Sequence, residues 1–197
     1  MARPTTLAPE AVVSSKGLKR FLAAVGQQPA PTLIDLGPVV GQNIEYFGER
    51  LGCRFHVQDV FSQVEQNARQ GTLDLLAADI AGRLTQEADS VDGILCWDVF
   101  DFLDRSSAQV LATRLVTMLR KGGALYGFFG TTAADLTHYT RFVVESDEAL
   151  RLRPYPATRT RRQVFVTRDI NKMFTGLVVA ESVLLKSSSR EVLFRKP

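Results

Sequence analysis

Apolar and polar residues change their spacing along this chain, so that helix-like and strand-like patterns follow one another. A helix is predicted over residues 15–25, where Leu18, Phe21, Leu22 and Val25 recur at helical spacing. Short apolar or alternating runs, typical of strands in a parallel sheet, occupy residues 32–36, 54–59, 92–97 and 124–129. Helical patterns separate these runs over residues 41–52 and 106–123.

The order of these elements predicts the fold class. Strands and helices alternate up to residue 129, which favours a doubly wound α/β fold with a mainly parallel sheet and helices on both faces. A weak strand pattern over residues 73–79 brings the expected number of strands to seven. Two of these seven flank the polar turn 186–190 and predict a C-terminal antiparallel hairpin.

The length of 197 residues suits one hydrophobic core, and a single domain over residues 1–197 is predicted. Residues 130–165 look like an insertion within that domain, with a hairpin around residues 141–146 and 163–166. We expect this insertion to form a lid or rim over a substrate site.

Composition excludes several classes of protein. Aromatic residues make up 9% of the chain and charged residues 23%, which is typical of a folded globular protein. No apolar run approaches the roughly 20 residues that cross a bilayer, and the N-terminus lacks a signal-peptide pattern, so a cytoplasmic protein is predicted. With only two cysteines and two histidines, the chain is not expected to bind a metal.

The net charge is only +3, but arginines concentrate between residues 141 and 168. They are Arg141, Arg151, Arg153, Arg159, Arg161, Arg162 and Arg168. Such a cluster either attracts an anionic partner or forms a solvated face. Because no nucleic-acid motif accompanies it, nucleic acid is not an expected partner. A small-molecule or protein acceptor is expected, and an acidic one if the arginines face it.

Ligands of open α/β sheets bind beyond the carboxyl ends of the strands, where the strand order reverses. The first predicted strand of the sheet leads into Gly37 and Gly41, which flank a turn before a helix N-terminus. Unpaired amides at such a terminus attract polar or anionic groups. Asp59, at the end of the second strand, has the spacing of an acid that accepts both hydroxyls of a ribose. A plain structural turn explains the same residues.

The passage LIDLGPVVGQ resembles the first cofactor motif, E/D-x-G-x-G-x-G, of the class I methyltransferases that depend on S-adenosyl-L-methionine (SAM). Asp35, Gly37 and Gly41 match three of its marked positions, and Asp59 in HVQD matches the acid that holds the ribose. This resemblance implies a Rossmann-like fold, SAM as the cofactor and a methyl acceptor that the sequence does not identify.

Further passages extend the resemblance over roughly residues 30–130 and 165–196. AADIAGRL is similar to the segment whose acid contacts adenine, which implies that role for Asp79, with Ile80 as an apolar neighbour. Asp98 follows the fourth strand, where the family places residues near the methionine part of SAM or the reactive centre.

The chain departs from the family pattern at Val39, which stands in place of the middle glycine, and at Pro38 before it. Glycine permits a positive φ and a close approach of the backbone to the cofactor. A β-branched residue with positive φ is a steric outlier. The turn is therefore either re-routed, or Val39 points into the space that the cofactor would use.

Three functions fit these observations. The first is a SAM-dependent methyltransferase, and the second is a degenerate methyltransferase-like domain that binds a protein or nucleotide without catalysis. A nicotinamide-dependent enzyme is the third, although GPVVGQN lacks the G-x-G-x-x-G pattern. Methyl transfer from a sulfonium needs little beyond positioning, and the candidates for a base are Asp98, Asp101 and His138.

Overall fold

The computed structural model describes residues 9–197, without the side chain of Asp74, and contains two β-sheets. Its nine strands are β1 (Ala11–Ser14), β2 (Thr32–Asp35), β3 (Arg54–Val57), β4 (Val91–Trp97), β5 (Leu119–Gly130), β6 (Asp135–Ser146), β7 (Ala149–Arg161), β8 (Val178–Leu184) and β9 (Ser189–Arg195). Its six α-helices are α1 (Lys16–Val25), α2 (Gly41–Leu51), α3 (Val60–Gln70), α4 (Leu76–Arg83), α5 (Arg105–Met118) and α6 (Thr167–Met173). Residues 1–8 of the predicted domain lie outside the described part of the chain.

The central sheet has the strand order β3-β2-β4-β5-β9-β8. Its first four strands are parallel, and β9 and β8 add to β5 as an antiparallel hairpin. The mainly parallel α/β sheet and its C-terminal hairpin are thus confirmed. The chain order reverses between the neighbouring strands β2 and β4, so a ligand site is expected beyond their carboxyl ends.

The seventh predicted strand is absent from the sheet that residues 9–197 form. The segment predicted as a strand, 73–79, is instead a short 3₁₀ turn followed by α4. Leu76, Ile80 and Leu84 recur four residues apart and are buried on one side, which is helical rather than strand periodicity. The sheet therefore has six strands.

Helices cover both faces of the central sheet, as predicted. Helices α1 and α2 pack on one face, and α3 to α6 contribute to the core on the other face. Side chains of the strands alternate between the two layers, so that Leu33 and Leu95 face one core while Ile34 and Cys96 face the other. All four of these side chains are fully buried.

A second sheet, in the order β1-β7-β6, is antiparallel and involves the predicted insertion. The predicted hairpin exists, but its second strand is Ala149–Arg161 rather than 163–166, and the edge strand β1 was not predicted. Buried Asn43 ties this sheet to α2. Its Nδ2 donates to the Phe142 carbonyl at 2.8 Å, and its Oδ1 accepts from Val144 N at 2.9 Å. The insertion therefore packs against the carboxyl edge of the central sheet.

Within residues 9–197, none of the helices has the length and apolar character that crossing a bilayer requires.

Candidate functional site at the carboxyl edge

The bend after β2 is held by a buried carboxylate. Asp35, only 1% exposed, accepts hydrogen bonds from Gly37 N at 2.8 Å and from Trp97 Nε1 at 2.7 Å. A Cβ atom at Gly37 would lie 2.6 Å from the indole Cδ1 of Trp97, which is closer than carbon atoms pack. Glycine is therefore required at position 37 so that the indole can lie against the bend.

Trp97 reaches the bend because the end of β4 is irregular. The β4–β5 register shifts between Leu95 and Trp97, and Trp97 has a positive φ of 47°. A bulge re-aims side chains, and a positive φ in a bulky residue is uncommon outside functional or strained segments. The indole stacks on Phe142 at 5.1 Å, and Phe142 stacks on Phe128 at 5.1 Å. Three rings thus connect the bend, β6 of the second sheet and β5.

Burial governs the protonation of Asp35. Loss of water around the carboxyl raises the pKa of Asp35 to about 7, and the negative charge of Asp59 adds to the increase. The two donors, Gly37 N and Trp97 Nε1, act in the opposite direction. Asp35 is consequently a structural acceptor at the base of the bend rather than an exposed ligand.

Val39 takes no strained backbone conformation in this turn. Val39 is absent from the positive-φ residues of the described chain, and its side chain is 54% exposed. Gly41 begins α2 and is also exposed, with no atom within 4 Å of the position that a Cβ would take. No side chain caps α2, so the amides of Gly41 and Gln42 have no partner within the helix. They can receive a polar ligand.

Asp59 adjoins the bend and starts α3. It takes a left-handed conformation (φ 40°), and its carboxylate accepts from Ser62 N at 3.0 Å and from Ser62 Oγ at 2.6 Å. The neighbouring backbone bonds from Gln58 N to Asp35 O and from Val60 N to Leu36 O hold it next to the bend. An ionised carboxylate offers about four lone-pair sites, so Asp59 keeps capacity for two further donors.

Asp79 and Ile80 have packing roles in this structure. Asp79 Oδ2 accepts from Asn67 Nδ2 at 2.9 Å and from Gln63 Nε2 at 3.3 Å, which joins α4 to α3. Ile80 is fully buried in the core. The adenine-binding role predicted for these two residues stays a prediction.

A second group of side chains surrounds a cavity of about 150 Å³ between the two sheets. Its charged residues are Asp98, Asp101 and Arg162, and its polar and apolar lining consists of Val13, Phe128, Thr140, Phe142, Leu152, Leu185, Ser187 and Ser189. The structure thus brings two of the three candidate bases together. The third, His138, lies on β6 opposite Pro156 and outside this lining.

The carboxylate of Asp101 has partners within the protein, whereas the carboxylate of Asp98 has none from other described residues. Asp101 accepts from Gly130 N at 2.8 Å and forms an ion pair with Arg162 at 2.9 Å. Within the described residues, no side chain and no amide of another residue donates to the carboxylate of Asp98, which keeps partial contact with solvent. Arg162 was not singled out from the other arginines in the sequence. The structure shows its close packing on Gly130, where a Cβ would lie 2.5 Å from Arg162 Cδ.

Both carboxyl groups have raised pKa values. Burial, followed by the charge of Asp101, raises the pKa of Asp98 to about 8. Burial also raises the pKa of Asp101 to about 6, with Gly130 N and Arg162 opposing the increase. Two titratable groups with perturbed pKa values in one cavity are typical of functional sites.

Most of the clustered arginines have carboxylate partners. Arg151 and Arg153 pair with Glu10, Arg159 pairs with Asp135, and Arg162 pairs with Asp101. Arg141 lies 4.3 Å from the ring centre of Tyr155. These pairs account for much of the basic charge that the sequence concentrates in this region.

Comparison with known proteins gives a similarity of fold. No protein-family model matches the sequence, and no curated protein matches it either. Among solved structures, the protein PH0226 of Pyrococcus horikoshii aligns at 12% identity and a TM-score of 0.55, over 92% of this chain and 89% of that one.

Two further structures are methyltransferases by name. The 1,6-didemethyltoxoflavin-N1-methyltransferase of Burkholderia thailandensis, with 1,6-didemethyltoxoflavin and S-adenosylhomocysteine bound, aligns at 12% identity and a TM-score of 0.53, over 92% of this chain and 79% of that one. A SAM-dependent methyltransferase of Clostridium acetobutylicum aligns at 12% identity and a TM-score of 0.52, over 93% and 92% of the two chains. At such low identity the similarity establishes a shared fold.

Proposed function

We propose that this protein is a SAM-dependent methyltransferase that acts on a small molecule. The fold supports this proposal, since structures named as methyltransferases, one of them with S-adenosylhomocysteine bound, align over more than nine-tenths of the chain. Fold alone does not determine function, so the proposal depends on the residues of the site.

The observation that carries the proposal is the arrangement around the bend after β2. The exposed residues Gly41 and Gln42 start α2 directly after the bend, and Asp59 starts α3 beside it, held there by the bonds from Gln58 N to Asp35 O and from Val60 N to Leu36 O. In the proposed site the amides of Gly41 and Gln42 would receive the amino-acid end of SAM, and Asp59 would accept the ribose hydroxyls. Bound SAM would supply a methyl group activated by its sulfonium.

The fit is incomplete at two places, the adenine of SAM and the inner side of the bend at Gly37. Asp79 and Ile80 are used in the packing of α4, so the adenine would need other groups. Trp97 fills the space directly against Gly37, and Phe142 stacks on its indole. Cofactor binding would therefore require the second sheet to shift relative to the bend, or the cofactor to lie outside the ring stack.

The chain's own contribution to the reaction would be positioning. Holding the reacting groups in line supplies much of the acceleration of a displacement reaction. The cavity beside Asp98 adjoins the bend through the Trp97–Phe142 stack, and residues of the second sheet form part of its wall. Asp98, with its pKa raised to about 8, would orient an acceptor and, in its ionised form, receive the acceptor's proton.

A thermal-shift titration with SAM, S-adenosylhomocysteine and NAD tests this proposal. Ligand at 100 times its dissociation constant stabilises a protein by about 2.7 kcal/mol. For a domain of this size, that corresponds to a rise in the melting temperature of roughly 5–10 °C. A rise with the first two ligands and none with NAD supports the proposal, and a rise with NAD alone would replace it with a nicotinamide-dependent enzyme.

The alternative function is a methyltransferase-like domain that binds a partner without catalysis. The Trp97–Phe142–Phe128 stack favours it, because these rings occupy the inner side of the bend. No thermal shift with any of the three ligands, together with no change in the fluorescence of Trp97, would support this alternative.

A further inference from the structure

The cavity between the two sheets has the composition of a binding site. One wall consists of the carboxyl ends of β4 and β5 and the turn before β9, and the opposite wall is the second sheet. Its apolar surface comes from Phe128, Phe142, Leu152 and Leu185, while Thr140 and two serines contribute hydroxyls. A mostly apolar wall with a few polar groups is typical of small-molecule sites.

The charges inside the cavity do not balance. Arg162 forms an ion pair with Asp101 at 2.9 Å, although its Nε lacks the geometry of a hydrogen bond, and Asp101 also accepts from Gly130 N. Asp98 then remains as a carboxylate that receives no hydrogen bond from any other described residue. Even a half-buried carboxyl that receives no hydrogen bond from a neighbour is costly in its charged form. A ligand that brings both a positive charge and N–H donors would remove that cost.

Other classes of ligand suit the cavity less well. An anion would meet two carboxyl groups and a guanidinium that is already paired. A metal ion would find one free carboxylate, and no cluster of three or more potential ligands occurs among residues 9–197 outside the masked side chain. A neutral apolar molecule would leave Asp98 unsatisfied. The acidic acceptor expected from the arginine cluster is therefore not favoured at this cavity.

The size of the cavity limits the ligand. A cavity of about 150 Å³ holds a molecule the size of benzene, which corresponds to about six non-hydrogen atoms. The ligand, or the part of it that enters, is thus a short alkyl or cyclic group that carries the charged nitrogen.

We propose that this cavity binds a small aliphatic amine as its ammonium ion, with Asp98 as the partner of the charged nitrogen. The identification of that amine as the methyl acceptor, once its ammonium form has given a proton to the Asp98 carboxylate, rests on the proposed function, whereas its binding does not. The ammonium group lies against the carboxylate of Asp98, and the alkyl part packs against Phe128, Phe142 and Leu185.

Calorimetric titration without SAM tests the proposal, with isoamylamine as the probe. Isoamyl alcohol and isovalerate have nearly the same shape and are neutral or anionic. Asp98→Asn keeps the shape of the side chain and removes its charge. The matched control is Asp135→Asn, which removes an exposed carboxylate, paired with Arg159, from β6 of the second sheet.

Isoamylamine is expected to bind the native protein and to bind Asp98→Asn at least about tenfold more weakly. Affinity for Asp135→Asn should equal that of the native protein, and the alcohol and isovalerate should bind more weakly than the amine. Near pH 7, amine binding should release about one proton, the one that Asp98 holds in the free protein, and binding to Asp98→Asn should release none. Titrations in two buffers of different ionisation enthalpy measure the number of protons released. The other charged groups at the cavity, Asp101 and Arg162, are already paired with each other.

Equal affinity for the amine and the alcohol, equal affinity of the native protein and Asp98→Asn, or no amine binding would each overturn this proposal. A separate SAM titration distinguishes it from the proposed function. If the amine binds and SAM does not, the amine site stands and the methyltransferase proposal fails. If SAM binds and the amine does not, the reverse holds.

Discussion

The two sides of the carboxyl edge use their acidic residues differently. On the β3 side, Asp59 caps α3 and Asp79 joins α4 to α3, so both carboxylates receive hydrogen bonds from the protein itself. On the β4 side, Asp98 lies in a cavity and receives none from other described residues. The aspartates near this edge of the sheet therefore have different roles. The carboxylate whose partner is missing is the one that is available for chemistry.

The aromatic stack is the boundary between these two regions. Phe142, 7% exposed, touches the indole over the bend and also lines the Asp98 cavity. Phe142→Ala is expected to lower the free energy of unfolding by about 3–5 kcal/mol, because a buried aromatic is lost and its space is not refilled. Urea denaturation measures the loss. Emission from Trp97, the only tryptophan, should shift to longer wavelength in the folded variant.

Phe142→Leu serves as the control, since it keeps most of the buried volume and should lose much less stability. Equal stability of Phe142→Ala and the native protein would show that the second sheet does not pack on the bend in solution.

Asp101 and Asp98 should respond in opposite ways to substitution. Asp101→Ala leaves Arg162 and Gly130 N without their acceptor, and the unfolding free energy should fall by about 3 kcal/mol. Asp98→Asn removes a carboxyl that has no such partner, so stability should be unchanged or higher. Denaturation of both variants at pH 7 checks this. A larger loss from Asp98→Asn than from Asp101→Ala would contradict the assignment of the free carboxylate.

The pH dependence of stability should differ between the native protein and Asp98→Asn. The pKa of Asp98 is raised to about 8 in the folded state, so the folded protein holds this proton at pH values where the unfolded chain has lost it. The contribution is fully present below about pH 4 and is lost as the pH rises toward 8. We expect this one group to lower the free energy of unfolding by at most about 1.4 kcal/mol per pH unit in that window, so the decline should be shallower in Asp98→Asn. Parallel curves for the two proteins would contradict the raised pKa.

Asp59 gives the smallest expected effect on stability. Asp59→Ala removes the cap of α3 and should cost about 1 kcal/mol, whereas Asp59→Asn retains a capping side chain and should cost little. Thermal denaturation of the two variants checks the difference. Equal losses from alanine and asparagine would mean that the charge of Asp59, rather than its cap, stabilises the helix.

Periodicity was sufficient to predict the alternating strands and helices, because buried strands and amphipathic helices each impose a regular spacing of apolar residues. It failed where a helix and a strand compete within a short apolar segment, as at 73–79, where Leu76 and Ile80 decide for a helix. Strand β1 is four residues long and gains its partner from β7, more than a hundred residues away, so no local pattern marks it.

The candidate site was predicted less completely than the fold, because contacts distant in sequence define it. The positions of Asp59 and Asp98 follow from the ends of strands, which local patterns mark. The pairing of Asp101 with Arg162 and the stacking of Trp97 on Phe142 depend on how the second sheet packs. The sequence also gave no sign that Gly37 accommodates an indole.

Calorimetric titration with SAM of the native protein, Asp59→Asn and Asp79→Asn tests the central claim that the bend after β2 holds this cofactor. The account predicts binding by the native protein, binding about tenfold weaker or worse by Asp59→Asn, and unchanged affinity in Asp79→Asn, whose carboxylate is used between α3 and α4. No binding by the native protein, or the same affinity in Asp59→Asn as in the native protein, would contradict it.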